Sequence, residues 1–159
     1  MIKSLLFSSI LLITQSIDRD SNFIQLQRRL ESYDFQVNIA TPPDLELPKQ
    51  QIDFQRRRVR KPFGLLNTAT KSIWIHPIVF ELGISNSVLI HEAIHAAQVC
   101  RGNGKIQTLE LEIEPIQQAR PFFKRYVDIH HRAVEKEAYA VQTQPNSWEL
   151  AMSLLDRYC

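Results

Sequence analysis

Hydrophobic and polar residues follow two different periods along the chain, and these periods predict where helices and strands lie. Apolar residues recur at helical spacing from Phe23 to Tyr33, so this segment is predicted to be an amphipathic helix. From Phe35 to Ile39 apolar and polar residues alternate, which indicates a half-buried strand. Two further short runs, 64–67 and 71–76, flank the turn 68–70, and together they predict a hairpin.

The segment from Ser87 to Val99 is apolar around most of its circumference, which is typical of a helix buried on all sides. Asn86 or Ser87 is expected to be its N-cap. The run 101–104 contains two glycines and should end it. Most of the remaining chain reads as helix, with an interruption expected at Pro121. The pattern therefore predicts an α+β fold, in which a small sheet or hairpin packs on a central buried helix and the C-terminal half is mainly helical.

Composition limits the function classes that fit the chain. Its 159 residues argue for one domain, which we expect to span residues 17–159. Hydrophobic residues make up 44% and charged residues 23%, so neither global disorder nor a coiled coil is indicated. The formal net charge of +2 is too small to imply a nucleic-acid partner. The basic run from Arg56 to Lys61 is interpreted as an exposed loop or solvated face.

Residues 1–16 have the layout of a secretory signal peptide. Lys3 precedes the apolar run Leu5–Ile13, and small residues stand at the positions expected for cleavage after Ser16. The run is short for a membrane span, so cleavage would leave an exported protein, periplasmic or secreted, and an uncleaved segment would anchor it. The alternative is a buried first element of a cytoplasmic protein. Export would allow Cys100 and Cys159 to pair, whereas a reducing compartment would keep both thiols free.

The apolar helix carries His91-Glu92-Ala93-Ile94-His95, the clearest candidate for chemistry in the chain. His91 and His95 lie one helical turn apart on the same face, so both imidazoles can reach one zinc ion at roughly 2.0–2.1 Å. Glu92 lies about 100° further round the helix, beside the metal. There its carboxylate can take a proton from water activated by the ion. The motif predicts a zinc site with Glu92 as the catalytic base.

A catalytic zinc site usually has three protein ligands and one open position, so a third ligand is expected downstream. The best candidates are Glu135 and Glu137, in a segment that reads as helix and whose alanines allow close packing. Residues two positions apart on a helix point about 200° apart, so only one of the two can bind the ion. The other is expected to face solvent or to hold a ligand histidine in place.

Several other residues of the chain could take part in such a site. A metzincin peptidase would have a third histidine where this chain has Arg101, so that class is excluded. His130 and His131 are alternative ligands or donors to a developing oxyanion, although two exposed polar residues are the simpler interpretation. Tyr126 and Tyr139 are further possible oxyanion donors, and core tyrosines with a solvated hydroxyl are the simpler interpretation for them.

Two motifs, His91-Glu-x-x-His95-Ala-x-Gln and Glu135-x-Glu137-Ala-Tyr-x-x-Gln142, resemble the gluzincin class of zinc metallopeptidases, and small bacterial members of it in particular. The resemblance implies a zincin-like fold, a zinc ion on two histidines and a downstream glutamate, and a peptide or protein substrate. It slightly favours Glu135 as that glutamate, because Ala138 and Tyr139 follow it at the third and fourth positions. Glu92 would be the general base.

Substrate binding and two rival functions complete the expectations. An extended peptide is expected to add to the strand Ile73–Ile75 through main-chain hydrogen bonds. One rival is a zincin-like protein that binds a partner without catalysis. The other is a di-iron carboxylate helix bundle. Its evidence is the Glu/Asp-x-x-His pattern, which occurs at Glu92-x-x-His95 and at Asp128-x-x-His131. Such a bundle needs four long helices, and the first half of the chain does not predict them.

Overall fold

A computed structural model of the protein describes residues 21–43 and 62–159. Within them it has a mixed α+β fold, as expected, with six α-helices and one small sheet. In chain order the elements are α1 (Ser21–Ser32), β1 (Gln36–Ile39), β2 (Gly64–Asn67), β3 (Ser72–Ile75), α2 (Ile78–Glu81), α3 (Ser85–Arg101), a 3₁₀ turn (Gln117–Ala119), α4 (Arg120–Lys124), α5 (Ile129–Gln142) and α6 (Ser147–Tyr158). The predicted signal peptide and the arginine run lie outside the described residues.

The sheet has the strand order β1-β3-β2. The predicted hairpin is confirmed: β2 pairs antiparallel with β3, and Asn67 closes the turn by accepting hydrogen bonds from the backbone of Ala69 and Thr70. β1 pairs with β3 in parallel. β3 is therefore hydrogen-bonded on both sides, and the expectation that a peptide adds to Ile73–Ile75 is wrong. Among the described strands, β2 and β1 are the ones with an outer edge.

Helix α3 is the centre of the fold, as its apolar circumference predicts. Eleven of its 17 residues are buried, and α1, α5, α6 and the sheet pack around it. The predicted N-cap is wrong, because the helix begins at Ser85 with Ile84 in the cap position. The turn at Gly83, whose φ of +67° is readily adopted by glycine, brings the chain into the helix earlier than Asn86 or Ser87.

Helix α5 crosses the face of α3. Its buried residue Ala138 belongs to the same core cluster as the apolar residues of α3, and its small side chain allows the two helices to approach closely. The helical break expected at Pro121 falls instead at residues 125–128, because proline is accommodated in the first turn of α4. Asp128 then begins α5 by accepting a hydrogen bond from the backbone nitrogen of His131 at 2.7 Å.

Cys100 and Cys159 form a disulfide with a Cα–Cα distance of 5.1 Å. The sequence allowed either a disulfide or two free thiols, and the structure has the disulfide. The bond joins the last turn of α3 to the residue that follows α6, and so it fixes the C-terminal helix to the central helix. Among residues 21–43 and 62–159, no helix combines the length and the apolar character needed to cross a membrane.

Replacing both cysteines by serine should lower the free energy of unfolding by about 4 kcal/mol, because the bond closes a loop of 59 residues in the unfolded chain. Urea denaturation of the double variant and the oxidised parent measures this difference. Reduction of the parent is the control and should bring it to the stability of the variant. A variant as stable as the oxidised parent would show that the bond contributes no stability.

Candidate metal centre

Helices α3 and α5 bring three potential metal ligands together. The Nε2 atoms of His91 and His95 lie 3.1 Å apart, as expected for residues one turn apart on one face. The carboxylate of Glu135 lies opposite them, with Oε2 3.3 Å from His91 Nε2 and Oε1 3.4 Å from His95 Nε2. Within the described residues this is the one group of three such side chains that could hold a metal ion. It is called the trio below.

The donor atoms of the trio lie close enough together to share one metal ion, with one ligand atom from each residue within 4.8 Å of the others. Two ligands bonded to tetrahedral zinc at roughly 2.0–2.1 Å lie about 3.3 Å from each other. The two Nε2 atoms are 3.1 Å apart, and each faces a different oxygen of Glu135, at 3.3 and 3.4 Å. The three side chains are 8–13% exposed, so the centre is enclosed by protein but still reachable from solvent. Two imidazoles and a carboxylate are a donor set that zinc commonly accepts.

The ring of His91 is oriented by a glutamine from α5. His91 Nδ1 lies 3.0 Å from Gln142 Oε1, and Gln142 Nε2 donates to Ser87 Oγ at 2.9 Å. Because the amide nitrogen of Gln142 already donates to the serine, its oxygen accepts from the ring. His91 therefore carries its hydrogen on Nδ1, which leaves the lone pair of Nε2 directed at the trio.

The ring of His95 is oriented by a longer relay that ends at Glu137. His95 Nδ1 lies 2.8 Å from Gln98 Oε1, and Gln98 Nε2 donates to Glu137 Oε2 at 2.9 Å. The carboxylate of Glu137 also accepts hydrogen bonds from the backbone nitrogens of Leu109 and Leu111. Glu137 is thus buried behind the histidines, and Glu135 is the glutamate that faces their Nε2 atoms.

His95 and Glu135 shift each other's pKa in opposite directions. Burial alone would lower the pKa of His95, but the hydrogen bond and the charge of Glu135 outweigh it and raise this pKa to about 9. Burial would raise the pKa of Glu135, but the neighbouring imidazoles of His91 and His95 outweigh it, so this pKa is well below its usual range. The histidine proton balances the carboxylate until a cation replaces it.

Glu92 is buried at 5% exposure beside the trio. Burial raises the pKa of its carboxyl, and the nearby His95 and His91 offset only part of this effect. Its side chain lies against Gly64, the first residue of β2: a Cβ atom at that position would be 2.5 Å from Glu92 Oε1. Gly64 therefore leaves the space in which the carboxylate of Glu92 sits, at the end of an edge strand.

Aromatic side chains surround the trio on the side of α4 and α5. The ring centroids of Tyr139 and His91 are 4.6 Å apart, and the ring of Phe122 stacks on that of Tyr139 with 5.7 Å between their centroids. Tyr126 contacts the ring of His131 at 4.4 Å. Burial first, and then the charge of Glu135, raises the pKa of Tyr139 to about 12, so its phenol keeps its proton at neutral pH.

The two neighbouring histidines of α5 are placed differently. His131 is about half exposed, with its Nε2 3.7 Å from Glu135 Oε1, so it lies at the margin of the trio. His130 points elsewhere and contacts the backbone oxygen of Ile106 through its Nε2 at 3.1 Å. Neither histidine takes the position that Glu135 occupies between His91 and His95.

Sequence reasoning assigned no role to Gln98, Gln142 or Gly64. A signal was present for the glutamines: Gln98 follows His95 by three positions, and Gln142 follows Glu135 by seven, so each shares a helix face with a candidate ligand. No sequence signal pointed to Gly64, because its approach to Glu92 joins a strand to a helix far along the chain.

Comparisons of the chain with protein-family models, with curated proteins and with solved structures found no match.

Replacing Glu135 by Ala should abolish tight zinc binding, because it removes the carboxylate that faces both Nε2 atoms. Replacing Glu137 by Gln should weaken zinc binding by about 10–100-fold, since it acts only through Gln98 on the ring of His95. Chelator competition on purified protein measures both affinities.

The matched control is Glu112→Gln, because Glu112 is an exposed glutamate outside the hydrogen bonds that join His95, Gln98 and Glu137. This variant should bind zinc as the parent does. If Glu137→Gln lost zinc completely and Glu135→Ala kept it, the assignment of the two glutamates would be reversed.

The apparent zinc affinity should rise about tenfold per pH unit from neutral pH upward and level off above pH 9. Below that pH zinc must displace the proton of His95, whereas Glu135 is already ionised because its pKa is lowered. Chelator-buffered titrations at a series of pH values measure the slope. An affinity that does not change over this interval would contradict the proton placed on His95.

Proposed function

We propose that the protein is a zinc-dependent metallopeptidase of the gluzincin type, with a zincin-like arrangement of its active helix. The observation that carries the proposal is the placement of Glu135 opposite the Nε2 atoms of His91 and His95, with one ligand atom from each residue within 4.8 Å of the others. Both histidines are held by glutamines in the tautomer that a metal ligand needs.

When bound, zinc would supply a Lewis acid that polarises a peptide carbonyl and makes water a stronger acid. The remaining chemistry belongs to the chain. The carboxylate of Glu92 accepts the proton of the attacking water and passes it to the leaving amine nitrogen, so that the peptide bond is replaced by a carboxylate and an amine. A carboxyl with a raised pKa is a better proton acceptor than an ordinary glutamate, which fits this role.

Two side chains are suited to stabilise the oxyanion that develops on the carbonyl. Tyr139 lies against His91 and retains its phenolic proton at neutral pH, so it can donate a hydrogen bond. His131 lies at the margin of the trio and is the second candidate donor. Both come from α5, the helix that also provides Glu135.

The substrate proposed is an extended peptide segment. The edge strand β2 offers backbone groups for antiparallel or parallel pairing, and its first residue, Gly64, lies against Glu92. A peptide on this edge would run toward the base. This placement replaces the one expected for the Ile73–Ile75 strand, whose two sides are already paired.

Export from the cytoplasm is part of the same proposal. The disulfide between Cys100 and Cys159 is of the kind that persists in oxidising compartments, and it supports a periplasmic or secreted protein. The signal-peptide layout of residues 1–16 is the sequence argument for it.

The di-iron alternative finds no support in the geometry. Asp128, the acid of its second Glu/Asp-x-x-His pattern, is exposed and caps α5 through the backbone of His131. A zincin-like protein that binds zinc but does not cleave remains the alternative that the following experiment separates.

Replacing Glu92 by Gln should leave zinc stoichiometry unchanged and lower peptide hydrolysis by about 10²–10⁴-fold, because an amide cannot accept the proton of water. The assay measures cleavage of a fluorogenic peptide library by zinc-loaded parent and variant. Glu149→Gln, on the exposed surface of α6, is the matched control and should cleave like the parent. Equal cleavage by the parent and Glu92→Gln would contradict the role of Glu92 as the general base. If the parent binds zinc but cleaves no peptide, the non-catalytic alternative is favoured.

A further inference from the structure

The segment from Ile116 to Ile129, which contains α4 and the first residue of α5, has several exposed apolar side chains. The described residues have six large hydrophobic side chains that are exposed, and four of them fall within residues 116–129: Ile116, Phe122, Val127 and Ile129. Val127 is 81% and Ile129 is 80% exposed, so these two protrude almost completely into solvent. Scattered apolar residues on a surface are common, but a local concentration marks an interaction surface.

Basic residues flank the two protruding residues in the sequence. The segment 120–132, here called the α4–α5 edge, contains Arg120, Lys124, Arg125 and Arg132, with Asp128 as its one acid. Arg125 Cζ lies 5.5 Å from the ring centroid of Tyr126, and Arg132 Nη2 donates to the backbone oxygen of Tyr126 at 2.7 Å. Two guanidinium groups therefore lie at the residue that precedes Val127.

The one acid of the edge is engaged locally. The carboxylate of Asp128 accepts the hydrogen bond from the backbone of His131 that begins α5. It stands between Val127 and Ile129 in the sequence, so the acid next to these apolar residues already holds a backbone hydrogen bond. The hydrogen bonds from Arg132 to Tyr126 hold the connecting turn in this shape.

We propose that the α4–α5 edge binds the surface of an anionic lipid bilayer. Val127 and Ile129 would enter the boundary between headgroups and acyl chains, while the four cations contact lipid phosphates. This combination of apolar residues for burial and basic residues for attraction is what interfacial binding requires. A nucleic acid would satisfy the cations but would leave the protruding apolar side chains without an apolar environment.

The edge is adjacent to the trio. Tyr126 contacts His131, and His131 Nε2 lies 3.7 Å from Glu135 Oε1. A protein docked through this edge would hold its candidate metal centre next to the bilayer, where it meets chains that emerge from or lie on the membrane. The inference rests on the exposed surface alone and does not require the proposed peptidase activity.

Co-sedimentation of the full chain with phosphatidylcholine vesicles, with and without phosphatidylglycerol, tests the proposal. The parent should bind only when phosphatidylglycerol is present, and binding should weaken with salt. Val127→Ser with Ile129→Ser should lower partitioning about tenfold or more. Lys124→Gln with Arg125→Gln should lower it about fivefold for each charge removed.

Leu82→Ser is the matched control, because Leu82 is also exposed, at 53%, but lies beside Glu81 and outside the edge. It should bind vesicles like the parent. Unchanged binding by the Val127 and Ile129 double variant would overturn the proposal. So would a change in oligomeric state on gel filtration without a change in vesicle binding, since the edge would then be a contact between copies of the chain.

A second measurement locates the contact directly and does not depend on how other parts of the chain bind lipid. The variant Val127→Trp should show additional fluorescence quenching by brominated phospholipids beyond that of Trp74 and Trp148. Leu82→Trp should show none. Equal quenching of the two variants would overturn the placement of the α4–α5 edge at the bilayer.

Discussion

The close contact between α3 and α5 is the interaction on which the candidate site depends. α3 carries two histidines and Glu92, but it does not provide a third ligand. Glu135 reaches the histidines because α5 packs against α3, where the small side chain of Ala138 lies in the same core cluster as the apolar residues of α3. A bulkier residue at position 138 would separate the helices and move Glu135 away from both Nε2 atoms, although no ligand would have changed.

The same contact carries the side chains that orient the ligands. Gln142 and Glu137 come from α5 and act on His91 and His95 of α3, directly or through Gln98. The two helices thus exchange hydrogen bonds that fix the ring orientations in advance of any metal. Preorganisation of this kind reduces the conformational cost of binding an ion.

Local pattern predicted much of the fold, because helical and strand periods are properties of neighbouring residues. It predicted α1, the hairpin and the buried α3, and it placed His91, Glu92 and His95 on one helix. It could not choose between Glu135 and Glu137, since both lie on α5 and the choice depends on how that helix is rotated against α3. It also left β3 free for an added peptide, whereas β1 pairs with it in parallel, and that pairing joins segments about 35 residues apart. The position of Gly64 beside Glu92 is a tertiary contact of the same kind.

The hydrogen bonds from Leu109 and Leu111 to Glu137 have a consequence for the dynamics of the molecule. Residues 106–116 have no regular secondary structure, and these two bonds attach them to the relay that ends at His95. Local opening of this segment would release Glu137 and then Gln98, and the ring of His95 would lose its orientation. By reciprocity, an ion bound at His95 would protect the amide hydrogen of Leu109 from exchange with solvent. Opening of the segment 106–116 and release of the His95 ring would thus be parts of one local unfolding equilibrium.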